Sequence, residues 1–181
     1  MVICVTNRKL CRGAFLPTVE KACKQSDMVI LREKDLNEME YAHLAAEVSE
    51  ICKRNHVLFG INSFIKTAKT IPCDTLQLSY PSFCEFTLSE PLFCQTGVSI
   101  HTVKEAIEAE HLGADYLIAG HIFATASKEG VPPKGLTFLR EVVSAVKIPV
   151  YAIGGISFQH AESIYQAGAA GICMMSQMMM R

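Results

Sequence analysis

The sequence predicts an α/β fold, a (β/α)₈ TIM barrel in shortened form. Eight short β-type runs alternate with amphipathic helical stretches, which predicts a parallel sheet, and the count of eight favours closure. Several runs are apolar throughout, as suits strands covered on both faces. The other topology, an open doubly wound sheet, usually carries a glycine-rich fingerprint after its first strand, and Asn7-Arg-Lys-Leu-Cys-Arg-Gly13 is not one.

In chain order the strands are expected at residues 2–6, 28–32, 56–60, 75–78, 97–100, 116–119, 150–153 and 171–174. Residues 36–54 form the longest helical pattern, with Leu44, Val48 and Ile51 on one face. Residues 102–112 open with the hydroxyl of Thr102 and carry Glu105 three positions on, the spacing of a capping box. Residues 136–146 and 158–167 are amphipathic, the second opened by Ser157 and closed by Gly168. Residues 82–95 are too irregular for a full fourth helix, and residues 177–181 are too short for an eighth, so the latter is expected to be missing or vestigial. A missing helix would expose barrel wall. Met175, Met178, Met179 and Met180 then either form a contact in a homo-oligomer or fold onto their own barrel.

A chain of 181 residues is expected to form a single barrel domain, residues 1–181, with no linker or repeat to divide it. Half the residues are hydrophobic and 19% are charged, which excludes a disordered chain. A formal net charge of −1 gives no reason to expect nucleic acid or an anionic membrane as partner, and no apolar run reaches the ~20 residues of a bilayer span. The eight cysteines show no Cys-x-x-Cys and no zinc spacing, so they read as reduced thiols of a cytoplasmic protein.

The richest stretch is Ala114-Asp-Tyr-Leu-Ile-Ala-Gly-His121-Ile-Phe-Ala-Thr-Ala-Ser-Lys128. It places His121 at the carboxyl end of the sixth strand, followed by Thr125, Ser127 and Lys128, and that end is where ligands of such folds bind. Imidazole titrates near neutrality and can take and return a proton, though a loop histidine bonded to backbone is an equal reading. The other five histidines, His43, His56, His101, His111 and His160, lie in helices or at element junctions and carry no expectation of chemistry.

The seventh strand ends in Gly154-Gly155 and the eighth in Met175-Ser176, where backbone amides and a hydroxyl can hold a phosphate. A tight turn alone would also explain the glycines. Arg32 and Lys34 end the second strand; they either bind a carboxylate or phosphate or are solvated charges capped by Glu33. Asn62 and Ser99, at the ends of the third and fifth strands, offer neutral hydrogen bonds. No metal site is expected, because Mg²⁺ needs carboxylates and the ends of strands three and four contain neither Asp nor Glu.

With Leu31-Arg-Glu-Lys34, Val98-Ser-Ile-His101, Gly113-Ala-Asp-Tyr116, Gly120 to Lys128, Ala152-Ile-Gly-Gly-Ile156 and Gly168-Ala-Ala-Gly171 in order, the chain resembles the thiamine phosphate synthase superfamily from about residue 2 to 177. The synthase branch joins a pyrimidine diphosphate to a thiazole phosphate with Mg²⁺. The resemblance places that metal on aspartates near Ser63 and Ser82, which are serines here. The synthase's pyrimidine-site glutamine falls at Ile30, and its Gly-Pro is Gly120-His121. The Gly-His resembles the TenI-type thiazole tautomerases, which implies that His121 moves a proton within a thiazole phosphate. That reaction aromatises the ring, so the resemblance implies neither redox cofactor nor metal; a Mg²⁺-dependent thiamine phosphate synthase and a non-catalytic binder of thiazole phosphate are the alternative readings.

Overall fold

The computed structural model describes residues 1–86 and 94–180. Among these, β1 (Val2–Val5), β2 (Met28–Leu31), β3 (Leu58–Asn62), β4 (Thr75–Ser79), β5 (Gln95–Ile100), β6 (Tyr116–Gly120), β7 (Val150–Ile153) and β8 (Gly171–Met174) follow one another around a closed barrel. The helices are α1 (Phe15–Cys23), α2 (Glu38–Arg54), α3 (Ile65–Ala68), α4 (Tyr80–Phe86), α5 (Val103–His111), α6 (Gly135–Ala145), α7 (Ala161–Gln166) and α8 (Ser176–Met179). The fold is the expected (β/α)₈ type.

Local differences have local causes. The third strand starts at Leu58 because His56 adopts φ 56°, a left-handed turn after α2. The segment opened by Ser157 begins as a 3₁₀ turn, Phe158–His160, in which the Ser157 N–H donates to His160 Nδ1 at 3.1 Å. The Thr102/Glu105 capping box opens α5 as predicted, and Asn37 with Glu40 forms another on α2. The fourth helix covers Tyr80–Phe86, and the rest of the irregular stretch to residue 93 lies outside the described residues. The eighth is a four-residue turn.

The chain groups into two compact units. The first takes Met1–Gln77, Leu92–Gln95 and Met175–Arg181; the second takes Leu78–Pro91 and Thr96–Met174. In the first, β1, β2 and β3 pair in parallel and α1 packs on α2; Val19 of α1 and Tyr41, Ala45 and Val48 of α2 are all buried. Met178 and Met179 are buried where α8 meets α1, while Met180 is exposed. Two of the methionines therefore fold onto their own chain, for the ordinary reason that apolar area leaves water.

In the second unit β5 to β8 are parallel neighbours. Gly120 pairs with Ile153, and a Cβ on Gly120 would lie 2.5 Å from Ile153 Cγ2. Only glycine fits the approach of β6 to β7 at that level.

Candidate functional site

His121 follows β6 and is 6% exposed. Its Nε2 lies 3.2 Å from the carbonyl oxygen of Val131. A carbonyl only accepts, so in the neutral ring Nε2 carries the hydrogen and Nδ1 keeps the basic lone pair. Nδ1 has no hydrogen bond to a described residue. The ring is therefore oriented by one nitrogen and offers the other.

The backbone around it is fixed as firmly. The Gly120–His121 peptide is cis. Ile122 N–H donates to Ile153 O at 2.9 Å, Phe123 N–H to Gly154 O at 3.0 Å, and the His121 carbonyl accepts from Lys134 N–H at 3.0 Å. Gly154 and Gly155 have φ of 102° and 64°. A Cβ on Gly154 would lie 2.2 Å from His121 Cβ, and one on Gly155 would lie 2.3 Å from Ala124 O. These contacts and left-handed angles account for both glycines without any anion. The turn reading is thus sufficient for them, and seating the His121 loop is part of their role.

Thr125 opens a 3₁₀ turn, Ala126–Lys128, in which Ser127 and Lys128 are exposed. Ser99 sits one residue before the end of β5 and is half-buried. His101, for which the sequence carried no expectation, has Nδ1 2.8 Å from the Gly120 carbonyl oxygen. Its signal was its place in Val98-Ser-Ile-His, one step past a buried strand. The His160 ring lies against Phe123, tilted by 31° with 4.4 Å between ring centroids.

The first unit holds the remaining predicted residues. Arg32 follows β2, half-buried and without an ion pair among the described residues; burial pulls its pKa below the ordinary value while Glu33 opposes this. Lys34 is exposed. Glu33 is not a solvated cap for these cations. It is 2% exposed and accepts from the Thr6 hydroxyl at 2.7 Å, from the Arg8 N–H at 3.0 Å and from Arg8 Nη1 at 3.3 Å. A buried carboxylate needs such partners, and β1 with its loop supplies them.

Asn62 ends β3; its Nδ2 donates to Gln77 O at 3.0 Å, and its backbone N–H donates to the Tyr41 hydroxyl oxygen at 3.1 Å. Its Oδ1 is buried with no partner among the described residues, so it stands ready for a donor. Met175 is half-buried against Asn7, and Ser176 is exposed at the start of α8. At the positions the resemblance gives to metal-binding aspartates, Ser63 is exposed at φ 68°, and Ser82 Oγ lies 2.8 Å from Ser79 Oγ. Among the described residues no three His, Cys, Asp or Glu side chains group to hold a metal. Neither serine supplies a carboxylate, the anionic oxygen ligand by which Mg²⁺ is usually anchored to protein.

A family profile described as thiamine monophosphate synthase matches residues 2–178. The chain belongs to the thiamine monophosphate synthase family. A putative thiamine-phosphate synthase 2 of Aquifex aeolicus is 38% identical over 175 residues, covering 95% of this chain and 94% of the relative. A thiamine-phosphate synthase of Fusobacterium nucleatum is 32% identical over 176 residues, covering 95% and 85%. Among solved structures, thiamine phosphate pyrophosphorylase from Pyrococcus furiosus superposes with a TM-score of 0.86 at 29% identity, covering 99% of this chain and 87% of that one. An N-acetylmannosamine-6-phosphate 2-epimerase from Clostridium perfringens, at 15% identity and TM-score 0.69, shares the fold alone. Among the described residues of this family member, no helix is long and apolar enough to cross a membrane.

Proposed function

We propose that this member of the family is a thiazole tautomerase, acting on a carboxythiazole phosphate by proton transfer through His121. The observation that supports it is the imidazole itself: buried, tethered through Nε2 to the Val131 carbonyl, and presenting Nδ1 as base. His121 Nδ1 takes the proton from ring carbon C2, and the electron pair of that C–H bond enters the ring. The exocyclic double bond opens and its outer carbon takes a proton back from the imidazolium. Aromatisation drives the shift, and a placed acid–base typically contributes ~10²–10⁴ in rate. In this reading the amides of the Gly154–Gly155 turn hold the phosphate, and Lys128, on the loop that follows His121, meets the carboxylate. Serines at positions 63 and 82 agree with chemistry that draws on no divalent ion.

The relatives' names favour a second reading. Those in Aquifex, Fusobacterium and Pyrococcus are called synthases or a pyrophosphorylase, which points to transfer of a pyrimidine to thiazole phosphate, possible here only with another set of metal ligands. Purified protein offered each substrate separates the two. The tautomerase reading expects ring aromatisation in the presence of a chelator and no pyrophosphate from the pyrimidine diphosphate. Mg²⁺-dependent pyrophosphate release would establish the synthase instead.

A further inference from the structure

We propose that His101 is a positioning residue for His121, holding the Gly120 carbonyl and with it the peptide that carries the proton-transfer side chain. The importance of that peptide rests on the tautomerase reading above; the geometry does not. β5 and β6 pair in the register Ser99↔Ile118 and Ile100↔Ala119, and the next step along brings His101 to Gly120, where β5 has ended. The backbone N–H groups of His101 and Thr102 are both turned away from β6. They donate to Glu105 Oε2 at 2.5 and 3.3 Å, closing the cap of α5. The chain leaving β5 thus offers no backbone donor at those two positions to the carbonyl of buried Gly120.

The His101 ring fills that role, with Nδ1 2.8 Å from the oxygen. The carbonyl only accepts, so Nδ1 carries the hydrogen, and the bond survives in both the neutral and the protonated ring. Capping does not require this ring, because Thr102 Oγ1 takes the Glu105 N–H and the Glu105 carboxylate completes the box. A peptide unit is planar, so fixing the Gly120 oxygen fixes the plane from which His121 leaves. Val131 then sets the ring, Gly154 crowds its Cβ, and Ile153 holds the next N–H. Of these restraints, His101 is the one made by a side-chain donor at an exposed position, where truncation leaves the core intact.

The test compares His101→Ala, which removes the donor, with His101→Asn, whose side-chain N–H stands near the place of Nδ1. For tautomer conversion, His101→Ala is expected to lower kcat about tenfold with KM changed less than about twofold, as small misplacements of a reacting group do. His101→Asn is expected to restore most of kcat. The ¹⁵N signals of the His121 ring should move in His101→Ala and return in His101→Asn. An unchanged kcat in His101→Ala, equal losses in both variants, or His121 signals that stay put in His101→Ala would each overturn the proposal. Should the wild-type protein convert no tautomer, the functional reading fails, and the ring signals still decide whether His101 positions His121.

Discussion

Gly154 and His121 pack so closely that a Cβ at position 154 would lie 2.2 Å from the Cβ of the histidine. The end of β7 therefore decides where the side chain after β6 can stand. Gly154→Ala adds that clash to a residue at φ 102°, so backbone and loop must both shift. We expect a loss of about 2 kcal/mol or more, read as a lower denaturant midpoint, together with weakened tautomer conversion. A variant as stable and active as wild type would show that the two loops adjust independently.

Glu33 gathers Thr6 and Arg8 from the first strand and its loop onto one buried carboxylate. Glu33→Ala leaves a hydroxyl and a backbone N–H without their acceptor. The expected cost is about 2–3 kcal/mol in urea unfolding, and Glu33→Gln, which keeps an acceptor oxygen, should lose less.

Asp35 gives the stability a pH dependence of known sign. Its carboxyl is held below the ordinary value, first by the hydrogen bond from Lys9 and then by that from Arg8, with ion pairs at 3.0 and 2.8 Å. A lowered folded-state pKa adds stability that is present above the unfolded-state value and is lost as pH falls through the folded one. The gap between wild type and Asp35→Asn should be widest near neutrality and close in acid, as urea midpoints at pH 7 and pH 3 will show. The pair is on the surface, so the gap is small and should shrink in salt.

The barrel was legible because its strands are short apolar runs that recur with helical spacing between them. The Thr102/Glu105 cap was legible because the signal is local, two residues three positions apart. Helix α1 and the Asn37 cap went unassigned, and the left-handed turn at His56 misplaced the start of β3. At the site, His121 stood out by its place after an apolar strand. Its partner did not: Val131 contributes a backbone oxygen, which no residue type announces. Glu33 looked like part of a charged run because the strand that buries it is distant in sequence. His101 was passed over for the same reason, since its bond to Gly120 exists only once β5 and β6 lie side by side.

The most direct test follows aromatisation of the exocyclic thiazole phosphate tautomer by absorbance, with chelator present, for wild type and His121→Asn. The account predicts conversion by the wild-type protein and a fall of ~10²–10⁴ in kcat for the variant. Equal rates for the two proteins would contradict it.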